Sequence, residues 1–417
     1  MQRLAPLAFA IISLVASAAS AEVNLFDRGA IQGIVDLRLN LTGGQSGPEQ
    51  GGYSKLRSGG AGNGAVGRAY VAAMDVVWHP QLTEDISVVV DAIAQPNATR
   101  GVDAAEAYVL YKPIPTSPLH VQARAGMLYI PISLEHKGFA GEPWTVINTI
   151  TPSAINSWVG DELKATGVEG RVSYPVLGAT LAGTVGVFGY NDTSGTVLTF
   201  QGWSLTDVVA TNGSRLRLPP MNTYIRRRQA PVTEPVSDLD RRAGWYGRWD
   251  ADLPNGVSIN AEWYDNNGDR RGVRKRQWSW NTTFLNVGVT APLGSDTQIF
   301  AQLMDGRTQM GFHRGASYWV DLYIQSAYLG VSHSIGKETF TARLDTFRTR
   351  NRPLPVTEDY SENGSAALLC WKHDMTNGRT LLIEALETKW RRPSMATFGI
   401  DPHQSQTSIQ ASYRIGF

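Results

Sequence analysis

The sequence predicts an all-β protein, a closed antiparallel transmembrane β-barrel of about 16 strands with long loops on one side and one loop folded inward. Three observations predict it. The last stretch, residues 404–417 (QSQTSIQASYRIGF), alternates. Phe417, Ile415, Tyr413, Ala411, Ile409 and Thr407 form an apolar set with aromatic ends, while Gly416, Arg414, Ser412, Gln410, Ser408 and Gln406 form a small or polar one. A period of two sends successive side chains to opposite sheet faces, so the two faces meet different surroundings. The same pattern recurs along the chain, which separates it from a lone edge strand of a soluble sheet. Finally, the chain carries 12 Trp, 15 Tyr, 12 Phe and 42 Gly, yet its mean hydropathy is only −0.20. A membrane barrel masks its apolar exterior by alternating it with a polar lumen.

The chain opens on an expected export leader, residues 1–21. Arg3 supplies the positive end, residues 4–15 the apolar stretch and Ala19-Ser20-Ala21 a small-residue cleavage site. The apolar run is too short for a membrane anchor, and no later stretch approaches the roughly 20 apolar residues a spanning helix needs. Residues 22–417 then form the barrel. Lys+Arg 38 against Asp+Glu 37 leaves the chain almost neutral, which gives no sign of nucleic acid or an acidic polymer as partner. The single Cys370 excludes an intramolecular disulfide and a Cys-rich metal site; flanked by Leu368, Leu369 and Trp371, it reads as an inert packed thiol.

The first strand is 31–41, where Val35, Leu37, Leu39 and Leu41 alternate with Asp36, Arg38 and Asn40. A Gly-rich loop follows to about residue 67. Its stretch 62–67 matches G-x-G-x-x-G, but strand-like sequence follows instead of the helix a dinucleotide site requires. Strands at 70–78, 86–94, 105–111, 121–129, 168–174 and 181–190 come next, joined by turns such as His79-Pro80-Gln81 and the Pro-rich 113–118. Pro254-Asn255-Gly256 then marks a hairpin between 245–251 and 257–263. Candidates at 278–289, 297–304, 318–334, 340–346, 366–373 and 381–388, with the final strand, bring the count to sixteen, a number that encloses an aqueous channel. Connections are shorter at one end of the hairpins and longer at the other, as barrels show with tight periplasmic turns and long external loops.

Two long segments break the rhythm. Residues 131–164 are too long for a turn and are not strand-periodic, so they read as functional or disordered. Trp144, Ile147, Ile150, Ile155 and Trp158 give this segment enough apolar surface to pack in the barrel mouth as a constriction loop; the alternative is an external lid. Residues 191–242 carry Arg215, Arg217 and the cluster Arg226-Arg227-Arg228, and read as a solvated basic loop packed over a neighbour; the alternative is an outer loop that binds surface polysaccharide or lipid phosphates.

Two resemblances add to this. The aromatic C-terminal strand resembles the signal of bacterial outer-membrane barrels, which implies insertion by the barrel-assembly machinery and contact with outer-membrane lipids. The stretch 124–135, RAGMLYIPISLE, with the exit Gly167-Val168-Glu169-Gly170, resembles the passage into and out of the constriction loop of phosphate-selective porins of the O and P type. That resemblance implies a homotrimer of 16-stranded barrels conducting small anions. One departure matters: 131–164 contains no Arg and only Lys137 and Lys164, whereas that family binds anions through arginines at the constriction.

Strand alternation, with Lys137 added from the loop, gives the channel-lining candidates Asp36, Arg38, Arg124, Lys137, Glu169, Arg171, Arg248, Arg343 and Arg414. Asp91, Asp250, Glu262, Asp345 and Glu384 share the inward set, so a mixed lumen predicts weak selectivity. The expected function is passive diffusion of small polar or anionic solutes and ions, with no cofactor and no metal. An outer-membrane hydrolase is disfavoured because none of the seven His stands beside a recognisable nucleophile or in a metal-type pair. A structural or adhesive barrel using its outer loops is the other alternative.

Overall fold

The computed structural model describes residues 25–61, 64–96, 98–137, 141–313, 318–352, 354 and 357–417. The leader expected at 1–21 and the first two residues of the glycine fingerprint lie outside these. Sixteen strands close into one antiparallel barrel. In chain order they are β1 (Ile31–Thr42), β2 (Val66–Trp78), β3 (Ile86–Ala94), β4 (Asp103–Tyr111), β5 (His120–Tyr129), β6 (Lys164–Val176), β7 (Ala179–Gly189) and β8 (Gly244–Asp252). The second half comprises β9 (Ser258–Asp265), β10 (Asn281–Pro292), β11 (Thr297–Met310), β12 (Val320–Ile335), β13 (Glu338–Asn351), β14 (Glu362–Asp374), β15 (Arg379–Arg391) and β16 (His403–Gly416). Each strand pairs with its sequence neighbours, and β1 pairs with β16 to close the ring. Closure satisfies every strand's backbone groups and leaves no edge.

The chain's last residue takes part in that seam. Gly33 and Phe417 exchange both backbone hydrogen bonds, at 2.9 and 3.0 Å. The Phe417 ring lies over Gly33, where a Cβ would sit 2.3 Å from the ring tip, so a side chain there would displace the ring.

Alternation sorts the faces as the sequence predicts. Leu37, Leu39, Val168, Val172, Leu344 and Leu369 are exposed on the outside, where a lipid-facing Arg would cost roughly 2–4 kcal/mol at mid-depth. Asp36, Arg38, Arg124, Glu169, Arg343 and Arg414 point inward and are buried.

The hydrophobic core lies inside the barrel. It joins inward side chains of the wall, among them Tyr264, Phe284, Phe300, Phe347, Leu368 and Leu386, to loop residues Leu56, Ile150, Trp158, Val197, Phe200 and Trp203. Phe188, Tyr264, Phe284 and Trp158 form a continuous aromatic run with centroid spacings of 5.4, 4.7 and 5.4 Å.

Candidate functional site: the loop-filled lumen

The described residues of segment 131–163, between β5 and β6, fold into the barrel. Its helix α1 (Ala154–Glu162) is buried along its whole length. Ser153 caps it by accepting from the Asn156 amide at 3.4 Å, supplying one of the partners that a helix start lacks. The wall then holds the segment by polar bonds. Glu384 accepts from the Ile150 and Thr151 amides at 2.7 and 3.1 Å, and Asp345 from the Ala154 amide at 3.2 Å. Arg343 donates to Glu135 at 2.7 Å, to the Thr151 carbonyl at 2.8 Å and to Asp345 at 2.9 Å. Burial pushes the Glu135 carboxyl up, but Arg343 and bonds from Ser153 and Asn156 outweigh it and hold it below the usual range. Arg414 donates to the carbonyls of Val146 and Thr149, and Arg248 donates to that of Pro131.

The long segment after β7 departs from the expectation of a solvated outer loop. Its first part, 191–211, also enters the lumen, and all five residues of its short helix α2 (Thr196–Phe200) are buried. Glu162, at the end of α1, accepts from the amides of Gly195, Val197 and Leu198 at 3.2, 2.8 and 3.3 Å, so one inward loop caps the other. Burial raises Glu162 to about 7, partly offset by these amides and the Trp158 indole. Asp207 joins Arg38 at 2.5 Å and Arg57 at 3.4 Å; burial pushes its carboxyl up, and the two guanidiniums hold it far down. Only the later part stays at the mouth, where Arg226 and Arg227 are exposed and Arg228 lies 3.7 Å over the Tyr224 ring.

The loop after β1 is the third to enter. Lys55 reaches Glu362 at 2.7 Å with both side chains fully buried. Burial lowers its ammonium to about 8, against the pull of Glu362. The same carboxylate accepts from the Trp203 amide and from Arg392, which also donates to the Thr199 and Phe200 carbonyls. Gly202 makes this possible: its φ is +87°, and a Cβ would sit 2.0 Å from Glu362.

The nine candidates therefore fall into different settings. Asp36, Arg38, Arg248, Arg343 and Arg414 are engaged in holding loops or one another, with Asp36 bridging Arg38 at 2.5 Å and Arg414 at 3.6 Å. Arg124, Glu169 and Arg171 border a cavity of about 600 Å³ at the short-turn end, together with Tyr108, Gln122 and Thr184. There Arg124 binds Glu169 through two bonds of 2.8 and 2.9 Å, and Arg171 binds Asp250 at 2.6 Å. Lys137 stands apart, half-exposed and 3.8 Å from Glu142.

A second cavity, of about 260 Å³, opens at the loop end and reaches Asp161, Gln201, Thr206, Arg215 and Arg217. Tyr129 stands between the two. Its carbonyl accepts from Arg124, and its hydroxyl donates to the carbonyls of Gly160 and Ala210, beside Asp161 and Val209 of the outer cavity. Trp144 lies 4.2 Å from its ring, and Lys164 donates to the Ala104 and Ala210 carbonyls.

Sequence reading missed Lys55, Glu362, Asp207 and Arg392. The signal that pointed to them is a wall apolar on both faces: in β14 Ala366, Leu368 and Cys370 point inward while Ala367 and Leu369 point outward. A water-lined lumen does not need apolar inward residues; a packed one does. Cys370 is buried among them, as expected of an inert thiol. At the loop end Asp192, Asp238 and Asp240 bring carboxylate oxygens within 4.8 Å of one another, with Asp192 accepting from the amides of Leu239 and Asp240.

No family model and no curated protein matches this sequence. Solved structures do. DcaP, an outer membrane channel of Acinetobacter baumannii, superposes with a TM-score of 0.53 at 11% identity, over 93% of this chain and 99% of that one. OmpT of Vibrio cholerae, in a trimer form, gives 0.51 at 6%, over 93% and 99%. An anion-selective porin from Comamonas acidovorans gives 0.50 at 10%, over 93% and 98%. At these identities the likeness is one of fold: the chain shares the closed antiparallel barrel of these outer-membrane proteins.

Proposed function

We propose that this protein is an outer-membrane channel for passive diffusion of small polar solutes and ions, narrowed by its own loops. The observation that carries this is the pairing of an apolar outer wall with a charged inner wall that holds three loops and leaves a cavity at each end. Tyr129, Trp144 and Lys164 are packed between the 260 and 600 Å³ cavities, so solutes would pass only as this packing opens. Arg171, Glu169 and Arg124 line the inner cavity, and their near balance of charge supports weak selectivity with a slight anion preference at low salt.

Phosphate specificity is not part of the proposal, because Lys137, paired with Glu142 and half-exposed, is a poor anion trap. The leader at 1–21 directs export, the barrel-assembly machinery reads the C-terminal strand, and the working form is a homotrimer in outer-membrane lipid. Reversal potential across a planar bilayer under a salt gradient tests the reading. Small, weakly anion-selective steps are expected, and an assembled barrel that passes no current would overturn it.

A further inference from the structure

Strand alternation also leaves a cluster of cations on the outside of the barrel. Arg348 and Arg350 of β13, Lys389 and Arg391 of β15 and His403 of β16 are all exposed and point outward at the loop end. Cross-strand register makes them neighbours: Arg348 faces Asn363, Asn363 faces Arg391, and Arg391 faces His403, while Ser365 faces Lys389. Together they border a groove of about 980 Å³. Among the described residues Arg348, Arg350 and Arg391 have no carboxylate within ion-pair distance, whereas Lys389 meets Glu387 at 2.8 Å and His403 meets Asp401 at 3.6 Å.

Directly below, toward the short-turn end, the outer face of β12 to β15 is mostly apolar, with Glu387 at its border to the cations. Leu329, Leu344, Ala367 and Leu369 line a groove of about 630 Å³. It continues through Val331, Ala342, Leu369 and Ala385 into another of about 520 Å³ beside Phe340, Trp371 and Ile383. Alanines between larger side chains create these channels in the wall. Ala367 lies two residues from Ser365, so at about 3.4 Å per residue the cationic row begins roughly 7 Å beyond the apolar one.

We propose that this face is a binding site for a phosphorylated lipid of the surrounding leaflet, with phosphates in the basic groove and acyl chains in the apolar grooves beneath. The inference rests on the outer-membrane reading above. Charge complementarity selects an anion, because guanidiniums bind phosphate through paired donors. Continuity with a lipid-facing apolar channel selects an amphipathic anion over a free one. The depth agrees, since an interface is where charged heads and acyl chains meet.

The test uses the full-length barrel in detergent, titrated with lipopolysaccharide, with the same lipid stripped of its phosphates, and with inorganic phosphate. The phosphorylated lipid should bind, and the stripped lipid should bind at least tenfold more weakly. Replacing Arg348→Gln and Arg391→Gln together should weaken binding by about thirtyfold, the factor expected for two cations at an anionic headgroup layer. Ala342→Phe fills the apolar groove without changing charge and should weaken the lipid while leaving phosphate unaffected. Arg226→Gln with Arg227→Gln, off the patch, should change nothing. Equal binding by the double variant, or equal binding of the stripped lipid, overturns the site. Inorganic phosphate binding as tightly as the lipid overturns the lipid assignment. Loss of oligomer in the double variant instead assigns the face to a second copy and also overturns it. Gel mobility before and after boiling, with conductance on the same samples, shows separately whether the barrel itself is the failure.

Discussion

The two sides of the lumen carry the same kind of residue to different ends. On the wall of β12 to β16, Arg343, Asp345, Glu384 and Arg414 direct their hydrogen bonds to the backbone and side chains of the inward loop, and almost none of their surface remains exposed. Around β5 to β8, Arg171 keeps 32% of its side chain exposed beside the 600 Å³ cavity. Inward charge in a barrel is therefore not the same as pore lining. What decides is whether a loop with matching donors and acceptors arrives at that height of the wall.

Breaking the loop-holding side should have the largest effect. Arg343→Gln leaves Glu135 and Asp345 buried together without their cation, a loss on the order of 3–5 kcal/mol by analogy with broken buried pairs. Single-channel recordings should show larger and noisier steps, and protease should reach 131–163 in the assembled barrel. Wild-type behaviour would mean that this cluster does not hold the loop.

Gly202→Ala should act less strongly, through the second inward loop. Its φ of +87° and the crowding at Glu362 predict a cost of about 1–3 kcal/mol, read as a lowered unfolding temperature and release of Lys55 and Trp203 from Glu362. An unchanged unfolding temperature would mean that the loop accommodates a side chain at this point of contact with the wall.

Rising pH should loosen the same loops by a smaller amount. Glu162, raised to about 7, and Asp161, raised well above its usual value, are both raised by burial. A carboxyl raised in the docked state stabilises docking fully below its free value, and this contribution is lost as pH rises through the docked value. His136, lowered to about 4 by burial, opposes this below its usual 6.5. Lys55, lowered to about 8 by burial, opposes it again above about 7. Conductance should therefore increase as pH rises from about 6 to 7, where Glu162 outweighs both. Glu162→Gln should flatten that slope.

The smallest structural effect belongs to the cavity side. Arg171→Glu should leave the barrel assembled, since a partly exposed pair is worth about 0–1 kcal/mol, yet move the reversal potential toward cations. Arg124, which alternation alone makes an equally good probe, is a poor one. It is buried between Glu169, 2.8 Å away, and Glu106, 3.9 Å away, and charge reversal there would gather three carboxylates.

Much of the fold was legible because alternation is a local property. All sixteen strands, the wall's two faces and the inward course of 131–163 follow from residue spacing and from apolar residues such as Trp144 and Trp158 in a non-periodic segment. The inward turn of 191–211 was not legible. Its basic later part, with Arg226 to Arg228, dominates the composition, while Trp203 bonds to Glu362 and to the Arg348 carbonyl of the wall, more than a hundred positions away. Partners such as Arg392 for Thr199, or Arg38 for Asp207, depend on closure of the ring, which no local pattern encodes.

The most direct test of the inward loops is the conductance of a barrel lacking residues 141–157, compared with the intact protein in the same bilayer. With Ile150, Ala154 and Ile155 gone, the lumen beside Glu384 and Asp345 should fill with water, and conductance should increase while heat-dependent gel mobility is kept. Unchanged conductance from a barrel that still shows that mobility would contradict the placement of this loop in the lumen.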